Sequence, residues 1–284
     1  MISITRPDLY STIRDMLGRP APQSPPRPAS TLCAVKGHVS LVGAGPGSAD
    51  LITMRGLQKL QQADVVYYDR LADPALLHHV RRGAAKVFVG KAPGCHAVPQ
   101  DKINQLIVRA ALRGQQVVRL KCGDPGVFGR GAEEAAACDA AGVAWDIVPG
   151  GTAACAAAAS ARTFLTERGL TERLILATGH LRHDGAQDWR AAAQPGTTVA
   201  CYMGVAQSGA IMRGLMGAGW PESAIVQVVS HAQTPQELVL HCVLAGLEVL
   251  CHQRPGLNPA ILLIRWPLDF GVHANAPAQI VGVA

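Results

Sequence analysis

Short apolar runs recur along the chain, separated by segments whose apolar residues fall at helical spacing. Val39 to Val42, Val65 to Tyr68, Val87 to Val89, Val117 to Leu120 and Trp145 to Val148 are each rich enough in β-branched residues to predict buried strands. Between them, Leu51 to Gln62, Pro74 to Arg81, Gln100 to Arg113 and Ala132 to Ala141 read as helices. Strands and helices that alternate in this way predict an α/β domain with a mainly parallel sheet, because each parallel return needs a crossover. A second series follows an Ala-rich helix at Thr152 to Ala161. Its strands are expected at Leu174 to Thr178, Thr198 to Tyr202, Ala224 to Val229 and Ala260 to Arg265, with helices at Gln187 to Ala193, Gln207 to Met216 and Pro235 to Val249.

Pro149, Gly150 and Gly151 fall between the two series, which sets an expected boundary between α/β domains at 37–149 and 150–271. Residues 1–36 hold Pro20, Pro22, Pro25, Pro26 and Pro28, a spacing that resists helix and sheet alike and predicts a flexible extension. Residues 272–284 are expected to form a frayed tail.

Composition narrows the class. The 284 residues are 49% hydrophobic and 16% charged, so a packed globular chain is expected and a disordered one excluded. Aromatics are only 4%, so the core must come from Ala, Val, Leu and Ile. The net charge of +6 favours anionic partners, yet the basic residues form no long run, and a small polyanion suits them as well as nucleic acid does. The eight Cys include no CxxC pair, and His241 beside Cys242 and His252 beside Cys251 lack zinc spacing, so reduced thiols and no metal are expected. No apolar stretch reaches the roughly 18 residues of a membrane span, and Arg6, Asp8 and Arg14 sit where a signal peptide would be apolar. A cytoplasmic protein is the resulting expectation.

Candidate chemistry lies at the strand ends. Gly43-Ala-Gly-Pro-Gly-Ser48 follows a strand as a dinucleotide loop would, but Ser48 takes the third glycine's place and Pro46 removes an amide that a phosphate cradle would use. Asp69 ends another strand, where it suits either a base or a turn cap. Lys91 follows a third. Arg119-Leu-Lys-Cys-Gly-Asp-Pro-Gly-Val-Phe-Gly-Arg-Gly-Ala-Glu-Glu134 puts glycine backbone where side chains normally crowd, as close approach by a flat ligand requires. The alternative there is a long turn with Arg130 paired to Glu133 across the first helical turn.

Taken in order, Gly43-Ala-Gly-Pro-Gly47, Tyr68-Asp-Arg-Leu71, Val89-Gly-Lys91, Gly123-Asp-Pro125, Val127-Phe-Gly-Arg-Gly131, Val148-Pro-Gly150, Thr152-Ala153 and Tyr202-Met-Gly204 resemble the tetrapyrrole methylases, and within them the uroporphyrinogen-III C-methyltransferases. The resemblance runs from about Gly37 to Pro267. It implies a homodimer of two-domain α/β subunits with S-adenosylmethionine in the cleft between domains, and methylation of uroporphyrinogen III at C2 and C7 to give precorrin-2, on the branch toward sirohaem, cobalamin and haem d1. Carried over position by position, it implies cofactor contacts at Pro46, Cys122, Gly123, Asp124, Val127, Thr152, Ala153, Met203 and Ala232, and acid and base roles for Asp69 and Lys91. The substrate's carboxylates would be met by Arg70, Arg119, Lys121, Arg130 and Arg168, with Glu133 beside them. Cys122, Gly126, Gly151, Glu167 and Ala232 depart from the family's usual residues. A methyltransferase for a later corrinoid precursor, such as precorrin-2 at C20, and a non-catalytic paralogue remain the alternatives.

Overall fold

The computed structural model describes residues 37–90, 98–180 and 187–268. The expected extension, the expected tail and Lys91 therefore lie outside the described residues. In the first half, β1 (His38–Gly43), β2 (Val65–Tyr68), β3 (Ala85–Phe88), β4 (Gln116–Lys121) and β5 (Ala144–Val148) form one sheet in the order β3-β2-β4-β1-β5, with every neighbouring pair parallel. Alternation along these strands feeds two apolar layers. Val39, Leu41, Tyr67 and Val117 pack with Ile103, Ile107 and Ala110 of α2 (Gln100–Leu112) on one face. Val42, Val66, Val118 and Leu120 pack with Leu60 of α1 (Met54–Gln62) and with Leu76 on the other. Helix α3 (Gly131–Ala140) adds Ala135 and Cys138 to the first layer.

A parallel sheet buried on both faces puts all its carboxyl strand ends, and the loops that follow them, along one edge. Among the described residues, that edge and the loops beyond it carry the candidates Asp69, Arg70, Asp124 and Arg130.

The second half is a mixed sheet of β6 (Arg173–Thr178), β7 (Thr197–Tyr202), β8 (Ile225–Ser230), β9 (Leu238–Val243) and β10 (Ala260–Trp266), in the order β6-β7-β10-β8-β9. Only β6 and β7 pair in parallel; the other three pairings are antiparallel. Helix α4 (Ala153–Ser160), nearly all alanine, lies on one face against Ala200, Tyr202, Val229, Ile261 and Leu263. Helices α5 (Ser208–Gly217) and α6 (Leu247–Gln253) cover the other through Ile211, Leu215 and Leu247.

The α/β class and nine of the strands match the sequence reading, and three of the helices do not. The expected helix at Pro235 to Val249 is replaced by strand β9, a 3-10 turn at Leu244–Gly246 and then α6. Leu238 to Val243 is a mostly apolar run, broken only by His241, whose periodicity fits either element, and pairing of its backbone with β8 decides for the strand. The expected helices at Pro74 to Arg81 and Gln187 to Ala193 shrink to 3-10 turns at Pro74–His79 and Arg190–Ala192. Helix α1 starts at Met54, not at Leu51, because the Thr53 hydroxyl caps it by accepting the Gly56 N–H at 3.1 Å. Among the described residues no helix is long and apolar enough to cross a membrane.

Candidate functional site

Backbone builds the floor of the site. The loop after β1 is tied to the loop after β4 by Ala44 N–H donating to the Lys121 carbonyl at 2.7 Å and Gly123 N–H donating to the Gly45 carbonyl at 2.9 Å. Gly43 and Gly150 lie so close that a Cβ on Gly43 would sit 2.6 Å from the Gly150 nitrogen, a distance no side chain tolerates. Asp124 joins the same loops: its Oδ1 accepts the Gly126 N–H at 2.7 Å and its Oδ2 accepts the Gly150 N–H at 3.0 Å. Buried Pro46 packs behind Gly151, whose Cβ would lie 3.3 Å from the proline Cδ. Gly123 is different. At φ +72° it faces room, with Ala153 N the nearest atom to an added Cβ at 3.7 Å, so the space beside it is free for a ligand.

The second half reaches this floor through two strand ends. At the end of β7 the Tyr202 hydroxyl accepts the Ala154 N–H at 3.1 Å and shares a hydrogen bond with Thr152 Oγ1 at 2.5 Å, which fixes the first turn of α4. Burial pushes the Tyr202 phenol up, so it stays neutral. The Phe128 ring, from the loop after β4, rests 4.9 Å from the Tyr202 ring. Beyond β8, the Ala232 carbonyl comes so near Gly47 that a Cβ on Gly47 would clash with it, and the two halves meet there backbone to backbone. Phe128, Arg130, Met203, His231 and Gln233 all hold φ between +49° and +59°. Such conformations cost on the order of 1 to 3 kcal/mol each and gather where a site over-determines them. Met203 is 49% exposed and Val127, Thr152, Ala153 and Ala232 are half-buried, so the cofactor-type positions line an accessible surface.

Most of the candidate ionisable groups lie on the first-half side. Asp69, half-buried after β2, has its Oδ1 on the Leu71 N–H at 3.2 Å and its Oδ2 3.4 Å from Arg119 Nη2. The turn-cap reading of this residue is present in the Leu71 contact, and the carboxylate also pairs with Arg119.

Arg119 and Lys121 require a correction. They were expected among the surface cations, but each is only 4% exposed. Alternation on the central strand β4 points both toward Glu134 in the first turn of α3, which is 0% exposed. Arg119 Nε donates to Glu134 at 3.0 Å, and Lys121 Nζ to its two oxygens at 3.0 and 2.9 Å; Gln100 adds a third donor, and a fourth contact, at 3.1 Å. Burial and the Arg119 charge push the Lys121 amine down, and Glu134 opposes that shift.

Arg130 and Glu133 form the bidentate pair of the alternative reading, at 2.8 and 2.6 Å, on the exposed side of the same helical turn. Arg70 and Arg168 are exposed. Glu167, unusual in placing a negative charge near Arg168, has its Oε2 3.4 Å from Arg265 Nη2. A cavity of about 430 Å³ opens beside Arg130, between the loop after β4 and Trp145 and Ile147 of β5.

Burial pushes the Cys122 thiol up to about 11, with the Asp69 charge acting in the same direction and a backbone hydrogen bond at Gly47 opposing it. Cys138 rises to about 11, and Cys201 and Cys242 to about 12, by burial first. Cys155, on the first turn of α4, is exposed. Among the described residues no three His, Cys, Asp or Glu side chains gather as a metal site would need.

Sequence reasoning missed Glu134, the Tyr202 hydroxyl and Phe128 as parts of the site. A signal existed for the first: two cations two residues apart on a central strand share a face and demand a buried anion.

Comparison with known proteins agrees with this layout. The family model for tetrapyrrole (corrin/porphyrin) methylases matches residues 38–248. The uroporphyrinogen-III C-methyltransferase of Paracoccus denitrificans is 46% identical over 230 residues, covering 80% of this chain and 80% of that protein. Siroheme synthase 1 of Yersinia enterocolitica is 46% identical over 235 residues, covering 82% of this chain; the chain spans only 49% of that longer relative. The crystal structure of uroporphyrin-III C-methyltransferase from Thermus thermophilus, complexed with S-adenosylhomocysteine, superposes with a TM-score of 0.70 at 35% identity, covering 81% of this chain and 97% of that one. With the two sheets, the backbone-built floor and the matched residues all in agreement, the chain belongs to the tetrapyrrole (corrin/porphyrin) methylases.

Proposed function

We propose that this chain methylates uroporphyrinogen III at C2 and C7 with S-adenosylmethionine, giving precorrin-2, and that it works as a cytoplasmic homodimer. The reading rests above all on the free space at Gly123, next to Asp124 in the loop after β4 and bounded by the backbone of Gly151, Thr152 and Ala153. A cofactor with an adenosine and an amino-acid arm needs such a cleft, lined by backbone and neutral side chains. The residues present fit it: the Gly123 cradle would be filled by a Cβ, and neither carboxylate oxygen of Asp124 lacks a backbone donor to hold it in place.

In this reading Pro46, Cys122, Gly123, Asp124 and Val127 hold the cofactor from the first domain, and Thr152, Ala153, Met203 and Ala232 from the second, with the domain boundary at Pro149. When bound, S-adenosylmethionine supplies a sulfonium methyl to an electron-rich carbon. The chain must align that carbon and then manage protons, for which Asp69 is the base and Lys91 the acid. Arg130, Glu133, Arg70 and Arg168 meet the substrate from the exposed side, and the cavity beside Arg130 gives one edge of a macrocycle room. Arg119 and Lys121 act on it only from beneath, through the groups they hold.

Incubation with uroporphyrinogen III and S-adenosylmethionine, followed by mass analysis of the oxidised product, tests the reading. Two added methyl groups are expected. A single methyl, or methylation only of precorrin-2, would transfer the assignment to a later step, and cofactor binding with no product would leave a non-catalytic paralogue.

A further inference from the structure

We propose that Glu134 is a positioning residue: by clamping Arg119 and Lys121 beneath the loop after β4, it sets Asp69 and the Arg130–Glu133 pair in place relative to one another. The loop Cys122–Gly131 is anchored separately at its two ends. Asp124 ties the beginning to the Gly150 amide, and Glu134 ties the end, through the first turn of α3, to the side chains of β4. Four donor contacts on a carboxylate with no solvent exposure fix the rotational phase of that turn. The phase dictates where Glu133, one residue earlier, presents the Arg130 guanidinium. From the other side of the same clamp, Arg119 extends to Asp69, and its Nη1 is held by the Leu120 carbonyl at 2.8 Å and the Tyr67 carbonyl at 3.4 Å. Lys121 closes the arrangement from below: a Cβ on Gly129 would lie 3.3 Å from its Cε, so the loop rests on the lysine stem. One buried carboxylate therefore links the base of the reaction to the cation that meets the substrate. Among the described residues its hydrogen bonds go to Gln100, Arg119 and Lys121 and to none of the cofactor positions.

The inference rests on the reading of Asp69 and Arg130 given under the proposed function, and its test separates the two. Glu134→Gln should leave the affinity for S-adenosylhomocysteine, measured by calorimetry, within about twofold. Affinity for uroporphyrin III, followed by its fluorescence, should fall, and turnover of uroporphyrinogen III should drop by about 10²-fold, the scale of displacing a reacting group by about an ångström. Because Glu134→Gln strands two buried cations and can unfold the chain, a second variant, Glu134→Gln with Lys121→Met, removes one of them along with the anion. It should fold, bind S-adenosylhomocysteine normally and remain impaired toward uroporphyrin III. Glu134→Asp, which keeps the charge at a shorter reach, should recover part of the turnover.

A folded double variant with parental affinity for uroporphyrin III would show the cluster to be structural filling and overturn the proposal. So would equal losses of S-adenosylhomocysteine and uroporphyrin III affinity, since Glu134 would then support the whole loop. If the parent binds uroporphyrin III without methylating uroporphyrinogen III, the activity assignment fails, and the positioning role is still decided by the two affinities.

Discussion

The two sheets of this molecule reach the same cleft by different routes. In the first half all five strands are parallel, so every carboxyl end opens on one edge, and that edge collects Asp69, Asp124, Arg130 and Glu133, with Arg119, Lys121 and Glu134 underneath. In the second half β9 and β10 run against their neighbours, and what reaches the cleft from β7 and β8 is a phenol, a methionine and an alanine. The difference sorts most groups by polarity: every described candidate ionisable group except Arg168 sits on the parallel side, and neutral surface that braces the linker sits on the mixed side. The proposed sulfonium cofactor and anionic macrocycle are both charged, and concentrating protein charge on one wall leaves the other free to pack against them.

That division is broken most severely by removing the carboxylate proposed as the base. Asp69→Asn should lower turnover by ~10²- to 10⁴-fold while the melting temperature and affinity for S-adenosylhomocysteine stay near parental, as steady-state kinetics, thermal unfolding and calorimetry would show. Next in size is Asp124→Asn, which turns one acceptor toward the Gly150 or Gly126 amide into a donor. With charge-assisted bonds contributing about 1.5 to 3 kcal/mol, S-adenosylhomocysteine should bind roughly 10- to 100-fold more weakly.

On the neutral wall the expected effects are smaller and fall on stability. Tyr202→Phe removes the partner of Thr152 and of the Ala154 amide, and urea unfolding should register a loss of about 1 to 2 kcal/mol with turnover changed less than tenfold. If this variant lost as much turnover as Asp69→Asn, the separation of tasks would be wrong.

The smallest effect is expected away from the cleft, where Asp146 of β5 accepts from Ser40 and His38 of β1 and meets Lys59 of α1. Burial alone would raise this carboxyl, but the three hydrogen-bonding partners outweigh it and hold it at about 2, against an ordinary 3.8. A depressed carboxylate stabilises the fold above its ordinary value, and the contribution fades as pH falls from about 4 to about 2. Asp146→Asn should therefore be less stable by about 1 kcal/mol at neutral pH, after allowance for solvent screening of a partly exposed pair, and the gap from the parent should close in acid.

How much of this was legible depended on what kind of physics each feature expresses. Period and composition reveal a buried strand such as β2, because both of its faces are apolar or aromatic. They fail at β9, an edge strand whose apolar run satisfies both a helix and a sheet, and only the pairing with β8 settles it. Cleft positions such as Gly123 and Met203 were legible as motif members, since an unusual backbone conformation leaves a mark on residue choice. The fate of Arg119 and Lys121 was not, because a charged residue looks the same in sequence whether it meets water or a buried carboxylate. Glu134 was visible as a letter in the loop motif but not as the hub of a network, for its partners come from β4 and from Gln100, 34 residues away in the chain.

The placement of the thiols has a practical side. Buried and half-buried cysteines whose protons are held to about 11 or 12 react slowly with electrophilic dyes at neutral pH, whereas Cys155 stands in solvent on the first turn of α4. With Cys33 and Cys95 changed to Ser, a maleimide fluorophore would go first to Cys155 among the described cysteines. It would then sit two residues from Ala153, on the helical turn that Tyr202 holds. The fold thus carries its own attachment point for an optical reporter, one that converts occupancy of the neighbouring cleft into emitted light.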